Sequence, residues 1–238
     1  GGYFADPGFK DVPDLAAVGY PIAEVSAEGS MVVTKPAGTG GVVDRLTVIE
    51  QMLYEIHDPA AYLVPDVVLD LTQVEVAEEG KDRVRVTGAG GKPAPATLKA
   101  TVCVEAGVLG EAEISYAGPN AAARARLAAE VVAARMKSHA PQLAYRVDAI
   151  GAVSVFGATA TQRPNWPDSD DVRLRFAAQS MHVLEVEALL DEVEALYCAG
   201  PAGGAGVRRR ITPRLASASC LIERKYVQPR VTMLGGGA

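Results

Sequence analysis

Alternation of polar and apolar residues between residues 66 and 116 is the feature that most constrains the fold of this chain. Residues 83–87 alternate two arginines and a threonine with two valines, and residues 111–116 repeat the pattern. Successive side chains of a strand point to opposite faces, so this alternation predicts strands with one solvated face, which are typical of antiparallel sheets. Turn compositions at 78–82 and 88–93 separate the predicted strands. Those strands are 67–71, 73–76, 83–87, 98–104 and 111–116.

Helical periodicity is the second constraint, and the helices are predicted to pack against this sheet. In one of them Asn120 is the predicted N-cap, and Leu127 and Val131 are predicted to face inward. We therefore expect an α/β fold, either layered α/β or α+β, with a mixed, largely antiparallel sheet and three main helices. The three predicted helices are 43–56, 121–137 and 181–197. Further strands are predicted at 21–25, 31–34, 145–156, 171–177, 217–222 and 227–233.

The composition is that of a globular protein with no strongly charged partner. The 238 residues are 49% hydrophobic, which suffices for a substantial core in one region spanning 1–238, or in two lobes that meet near 138–145. A formal net charge of -6 argues against nucleic-acid binding, and the arginine run 208–210 is expected to be solvated or salt-bridged. We expect neither a bilayer-spanning segment nor a secretory signal, and hence no membrane partner. The three cysteines lack metal-ligand spacing, which predicts no metal site and a reducing, cytoplasmic location.

A glycine-rich loop between a predicted strand and a predicted helix is the first candidate ligand site. The loop is Lys35-Pro36-Ala37-Gly38-Thr39-Gly40-Gly41. Backbone amides at a helix start bind phosphate or carboxylate groups, and here Lys35 would add a positive charge and Thr39 a hydroxyl. The spacing matches neither of the standard nucleotide-binding fingerprints. The loop is therefore either an anion-binding loop or only a tight turn between strand and helix.

Two further glycine loops complete the candidate binding residues. Tyr116 and Gly118 lie where a predicted strand leads into the second predicted helix, and Arg124 adds a positive charge in the first turns of that helix. Gly203 and Gly204 belong to a glycine-rich stretch that follows the third predicted helix. This stretch holds more glycines than a helix exit needs, so it is either a backbone approach to a ligand or a flexible cover.

Several other polar residues are weaker candidates. His57 is explained as a cation near a helix end, and Cys198 lies near a helix C-terminus, which disfavours a thiolate nucleophile. Trp166 either anchors its loop or forms part of a ligand wall. The charged residues Asp6, Lys10 and Asp11 are common turn residues as well as candidate site residues. No catalytic set follows from these residues.

Several long stretches of the chain resemble one known family. They are G-G-Y-F-A-D-P-G-F-K-D-V-P-D-L at 1–15, T-K-P-A-G-T-G-G at 34–41, L-Y-E-I-H-D-P-A-A-Y at 53–62, E-I-S-Y-A-G-P at 113–119, D-V-R-L-R at 171–175, and E-V-E-A-L-Y with G-P-A-G-G at 192–204. The chain is similar over its whole length to the acyclic terpene utilisation protein A (AtuA-like) family. The resemblance implies a role in bacterial breakdown of branched acyclic terpenoids such as citronellol and geraniol, which proceeds through acyl-CoA thioesters. Family members are longer, so it also implies that this chain is the carboxy-terminal part of a longer family domain.

Two functions of different classes are compatible with these observations. The first is an enzyme, or the substrate-binding half of one, that binds or transforms a branched acyl-CoA or carboxylate by lyase or hydratase chemistry. The second is a non-catalytic assembly or scaffold subunit, in which the glycine loops are packing turns. No cofactor is predicted, a CoA thioester is the candidate substrate, and the expected partner is the upstream amino-terminal half, a partner subunit or a second copy in a homo-oligomer. The candidate substrate-binding residues are Lys35, Gly38, Thr39, Gly40, Gly41, Tyr116, Gly118, Arg124, Gly203 and Gly204.

Overall fold

The structure, a computed structural model, describes residues 4–155, 166–230 and 232. The chain forms two compact units, the first comprising Gly1–Lys99 and Leu221–Ala238 and the second Ala100–Cys220. Residues 138–145, the predicted meeting point of two lobes, lie within the second unit. Among the described residues, no helix has both the length and the apolar character needed to cross a membrane.

The first unit is built on a four-stranded antiparallel sheet with one short helix. The two predicted strands β1 (Ile22–Val25) and β2 (Met31–Thr34) form a hairpin, and β5 (Glu75–Gly80) and β6 (Arg83–Thr87) complete the order β1-β2-β6-β5. Helix α1 (Arg45–Leu53) buries Val48 in a small core with Val84 and Val86 of β6. The predicted alternation of β6 is thus confirmed, because its valines face the core while its polar residues are partly exposed.

A three-stranded sheet in the first unit corrects one predicted turn. Strands β3 (Tyr62–Leu63), β4 (Val67–Asp70) and β7 (Gly90–Pro93) pair in the order β3-β4-β7. The prediction of a turn over 88–93 was wrong for β7, because the backbone of β4 provides a hydrogen-bonding partner that composition does not reveal. The predicted turn at 78–82 is likewise shorter, since β5 continues to Gly80.

A second four-stranded sheet lies mainly in the second unit, and residues 97–99 and 221–223 of its strands are assigned to the first. Its strands are long. They are β8 (Thr97–Ala117), β9 (Tyr145–Ile150), β10 (Asp171–Ser180) and β11 (Ala205–Glu223), in the order β11-β8-β10-β9. Strand β10 pairs antiparallel with both β8 and β9. Two predicted strands, 98–104 and 111–116, are therefore parts of one continuous strand, and the prediction at 217–222 marked only the end of β11. A strand was predicted over 227–233, but residues 227–230 and 232 form none. Residues 231 and 233 lie outside the described part of the chain.

Helices α2 (Ala121–His139) and α3 (Val183–Ala199) pack against this sheet and enclose the larger core. Helix α3 buries a stripe of leucines and valines, namely Val186, Leu189, Leu190, Val193 and Leu196. Helix α2 differs from the prediction in part: Val131 packs against the larger core, but Leu127 is 50% exposed and the buried side is mostly alanine. Asn120 occupies the N-cap position as predicted, but its backbone is left-handed and its side chain caps no amide.

The segment after β9 is only partly described. Strand β9 ends at Ile150, six residues before the predicted end, and Ala149 then forms a bridge with Val153. Phe156, Gly157 and the predicted loop up to residue 165 lie outside the described residues. Trp166 is partly buried against the larger core, as expected of a residue that anchors its loop.

Candidate functional site

The first glycine loop is held together by its own hydrogen bonds. The ammonium group of Lys35 donates to the Thr39 carbonyl at 2.5 Å and lies 3.4 Å from an Asp82 carboxylate oxygen, and its side chain is only 9% exposed. The Thr39 hydroxyl donates to the Pro36 carbonyl at 2.7 Å. The charge and the hydroxyl that were predicted to bind an anion therefore have partners within the protein.

The backbone amides of this loop are also paired internally. The Gly40 and Gly41 amides each donate at 2.8 Å to a carbonyl of the amino-terminal segment, those of Ala17 and Pro13 respectively. The chain passes so close here that a side chain at Gly40 would collide with the Asp14 carbonyl. Gly40 is thus needed for close packing of two backbones, which is the turn alternative of the sequence analysis.

Carboxylates of the protein occupy the start of helix α1. Asp44 and Thr47 form a capping box, in which the Asp44 carboxylate accepts the Thr47 amide at 2.8 Å. The Arg45 amide donates to Glu78, and the Val43 amide donates to Asp82. The positive end of the helix, which would attract a phosphate, is therefore already paired with negative charge from its own unit.

An apolar cavity of about 510 Å³ lies beside this loop, within the first unit. The amino-terminal segment, the hairpin of β1 and β2, helix α1, and residues of the glycine loop and the start of the helix all contribute to its walls. Its polar lining is limited to Lys35, Thr47 and Gln51. The apolar lining residues include Phe4, Val12, Leu15, Val18, Ile22, Met31, Val33, Val48 and Met52.

This cavity is where the sequence analysis missed a candidate site. Phe4 and Leu15 line it and remain 71% and 58% exposed, so they add to a contiguous apolar surface of the kind that marks binding grooves. In the amino-terminal segment only Asp6, Lys10 and Asp11 were considered, as turn residues or candidate site residues. The signal that was available is the recurrence of apolar residues between those turns.

A second group of predicted residues lies together in the second unit. Arg124 joins two glycine loops, because its guanidinium donates to the Ala117, Pro119 and Ala202 carbonyls at 2.7, 3.0 and 2.8 Å. Gly118 precedes α2, and Gly203 packs against the Arg124 guanidinium. Tyr116, Gly118, Arg124, Gly203 and Gly204 are therefore neighbours, whereas the other five predicted residues belong to the first unit.

Tyr116 is fully buried, and its hydroxyl has no hydrogen-bond partner among the described residues. Burial raises the pKa of the Tyr116 phenol, and the Arg124 cation, 6.0 Å from the ring centre, partly opposes that rise. A side chain at Gly204 would lie 3.2 Å from the Tyr116 hydroxyl and 2.9 Å from the Ile114 side chain, so the loop needs glycine there to cover them. In this cluster the Arg124 guanidinium holds two backbone segments together, so its hydrogen bonds are made within the protein.

The weaker candidates lie apart from both groups. His57 is exposed and follows the end of α1 by four residues, so its predicted place at the helix end was wrong. Cys198 is exposed in the last turn of α3. The Lys10 ammonium is 3.2 Å from the Glu50 carboxylate, and Asp11 accepts a turn amide. Arg209 pairs with Asp191 and Glu194 of α3, as expected of a salt-bridged arginine run.

In the described ranges, no group of three or more His, Cys, Asp and Glu side chains is placed to hold a metal ion.

Comparison with known proteins places the chain in a family. The profile of the family described as "Acyclic terpene utilisation family protein AtuA" matches residues 1–233. The chain belongs to this family. The match includes the apolar cavity and both groups of glycine-loop residues of this AtuA family member. No curated protein and no solved structure matches the chain.

Proposed function

We propose that this AtuA family member is a component of acyclic terpenoid breakdown whose first unit binds the branched acyl chain of a carboxylate or of its CoA thioester. The observation that carries the proposal is the apolar cavity of about 510 Å³ between α1, the β1–β2 hairpin and the amino-terminal segment. Cavities that bind small molecules measure roughly 300–1,000 Å³ and are predominantly apolar with a few polar groups. Family membership supplies the connection to acyclic terpene utilisation.

The cavity suits a hydrocarbon chain better than a phosphate. Burial of apolar ligand surface against exposed side chains such as Phe4, Leu15 and Ile22 is favourable by about 25 cal/mol per Å². Lys35 is part of the wall, but its charge is already balanced by Asp82. Recognition therefore rests on the acyl chain, and we expect the CoA moiety to add little affinity in this unit.

The test is calorimetric binding of citronellic acid, citronellyl-CoA and CoA alone to the chain. We expect the acid and the thioester to bind and CoA alone not to bind. Ala23 lines the cavity, so Ala23→Phe fills part of it and should weaken acid binding about tenfold or more. Ala27→Phe is the matched control, because Ala27 is exposed in the turn of the same hairpin and does not line the cavity.

Two results would contradict this proposal. One is failure of the folded wild-type chain to bind either the acid or the thioester. The other is an equal loss of affinity in Ala23→Phe and Ala27→Phe, with both variants folded by circular dichroism, because the cavity would then not be the binding site.

The proposal includes lyase or hydratase chemistry on the bound acyl group. Hydration adds one water across a carbon–carbon double bond, so the product of an α,β-unsaturated branched acyl-CoA is heavier by one water. Mass spectrometry of such a thioester incubated with the chain detects that gain. An unchanged mass under conditions in which the thioester is bound would remove hydration from the proposal.

A non-catalytic assembly subunit is the second candidate function. The observation that favours it is the internal pairing of the first glycine loop, whose Lys35, Thr39 and Gly41 all donate to groups of the same unit. Such a loop behaves as a packing turn. Purification of a stable heteromeric complex whose turnover is unaffected by Ala23→Phe would favour this function over ligand binding.

A further inference from the structure

Strand β11 is an edge strand of unusual length. It runs from Ala205 to Glu223 at the end of the order β11-β8-β10-β9, and within the described residues β8 is its only neighbour in the sheet. Its outer edge therefore presents a row of backbone donors and acceptors. Exposed edges of this kind pair with strands of other chains unless charges, prolines or covering segments prevent it.

The two halves of β11 differ in this protection. Residues 208–214 carry four arginines and Pro213, which discourage pairing at an edge. Residues 215–221, with the sequence Leu-Ala-Ser-Ala-Ser-Cys-Leu, contain no charge and no proline, and every one of them is exposed. The second half of β11 is thus an unprotected edge.

The second half of β11 also lacks support from the rest of its sheet. The Thr212 hydroxyl donates to the Leu109 carbonyl and the Arg224 amide donates to the Ala96 carbonyl, so the second half of β11 lies beside the part of β8 that precedes Leu109. Pairing of β10 with β8 ends at Ser180 opposite Val108, so this part of β8 has only β11 as a neighbour in the described structure. Val102, Val104, Leu215 and Leu221 are 46–70% exposed there. An isolated two-stranded ribbon is only marginally stable in water, and a further strand on its open edge would stabilise it.

The sequence of the exposed edge complements itself. When two copies of 215–221 are placed antiparallel with Ala218 opposite Ala218, Leu215 faces Leu221, Ala216 faces Cys220, and Ser217 faces Ser219. Leucine pairs then close both ends of a run of small side chains. Opposed apolar and Ser–Ser pairs of this kind stabilise antiparallel strands.

The charges beside the edge are compatible with the same arrangement. When the same antiparallel pairing is continued beyond residues 215–221, Arg214 lies opposite Ile222 and Pro213 lies opposite Glu223. No two like charges therefore face each other. The arginine run at 208–210 falls opposite residues beyond the end of β11. The second copy of the chain therefore meets no repulsion along the paired segment.

We propose that residues 215–221 of β11 pair antiparallel with the same residues of a second copy, about a two-fold axis at Ala218. The contact is isologous, because the same edge is used on both copies, and it closes as a dimer. It extends the sheet of the second unit across the two copies. The proposal is independent of ligand binding in the first unit.

A charge exchange at Ala218 tests the pairing in the full chain. We expect sedimentation velocity to show a dimer for the wild type and monomers for Ala218→Lys and Ala218→Glu, since each variant opposes two like charges at the axis. Equimolar mixing of the two variants should restore a dimer, because Lys then faces Glu. A monomeric wild type, or variants that dimerise as well as the wild type, would overturn the proposal, as would failure of the mixture to associate.

Disulfide trapping tests the register separately. Opposite residues in an antiparallel pair have Cα atoms about 4.5–5.5 Å apart, which suits a disulfide. In a chain with Cys103→Ser, Cys198→Ser and Cys220→Ser, we expect Ala218→Cys to give a disulfide-linked dimer on mild oxidation. Ala216→Cys in the same background is the matched control and should remain unlinked, because its two copies are four residues, about 13 Å, apart along the strand.

Restoring Cys220 to the Ala216→Cys variant should bring cross-linking back, because these two positions face each other. Equal cross-linking of Ala216→Cys and Ala218→Cys in the background without Cys220 would overturn the register. Absence of cross-linking in Ala218→Cys would overturn it as well.

Discussion

Tyr116 shows how a single buried polar atom can oppose stability. Its hydroxyl is buried without a partner among the described residues, and an unsatisfied buried polar group costs about 1–3 kcal/mol. We therefore expect Tyr116→Phe to raise the free energy of unfolding by about 1 kcal/mol in urea denaturation. Tyr197→Phe is the contrasting variant, because the Tyr197 hydroxyl accepts the Val207 amide at 2.8 Å and its removal should lower stability.

The pH dependence of stability checks the same residue. Burial raises the folded-state pKa of Tyr116 above the ordinary value of 10.0. Below about pH 10 the phenol is protonated in both the folded and the unfolded chain, so it adds no pH dependence to the free energy of unfolding there. As pH rises beyond 10 toward the raised pKa, the unfolded chain loses the proton first and stability falls. Tyr116→Phe should show a smaller alkaline loss than the wild type. An identical loss in both proteins, or a destabilised Tyr116→Phe, would mean that the phenol is solvated or paired.

Lys35 was predicted to bind a ligand, and the structure gives it a stabilising role in its own loop. Replacement by methionine keeps most of the side-chain volume but removes the bond to the Thr39 carbonyl and the partner of Asp82. We expect Lys35→Met to lower the free energy of unfolding by about 1–3 kcal/mol. Lys81→Met, at an exposed neighbouring position, should change it by less than about 0.5 kcal/mol. Adding Asp82→Asn to Lys35→Met should recover part of the loss, and no recovery would contradict the ion pair.

Among the helices and strands, α2 is notable because the side that packs against the core is mostly alanine. Ala125 and Ala128 are completely buried against the core, whereas Leu127 is 50% exposed. Alanine has no side chain beyond Cβ, so the helix backbone approaches the sheet and α3 closely. Of the two residues that were predicted to face inward, Val131 packs against the core and Leu127 does not.

This packing can be tested by exchanging volumes on the two faces. Overpacking a tight core typically costs 1–3 kcal/mol, so we expect Ala125→Leu to lower the free energy of unfolding by about that amount. Leu127→Ala, which removes an exposed side chain from a helix, should remain within about 0.5 kcal/mol of the wild type. Guanidinium denaturation of both variants gives the comparison. A larger loss in Leu127→Ala than in Ala125→Leu would show that the helix is rotated from this arrangement.

At the scale of the whole molecule, the ten predicted binding residues divide evenly between the two units. Lys35, Gly38, Thr39, Gly40 and Gly41 belong to the first unit, where the Gly40 and Gly41 amides bond to the amino-terminal segment. Tyr116, Gly118, Arg124, Gly203 and Gly204 belong to the second unit, where Arg124 joins the two glycine loops. The contacts observed in both regions are internal, and ligand binding by these ten residues stays a prediction.

Much of the fold followed from the sequence because the information is local. The alternation in 83–87 determined a strand and its buried face, since strand geometry places successive side chains on opposite sides. The stripe of α3 likewise determined which of its residues are buried, because helical periodicity brings them to one side. The three helices and the antiparallel sheets were identified for these reasons.

Only the tertiary structure decided which of these elements meet and what their contacts leave open. Strand β7 exists because β4 lies beside it. The alanine face of α2 is buried because close approach favours small side chains. The Lys35 ammonium group has an ion-pair partner because Asp82 comes from a distant turn. The apolar cavity and the open edge of β11 arise in the same way, since each depends on neighbours far away in the chain. Local patterns determine the shape of a segment, but hydrogen-bond partners and close packing across the chain determine whether its polar groups remain available to a ligand.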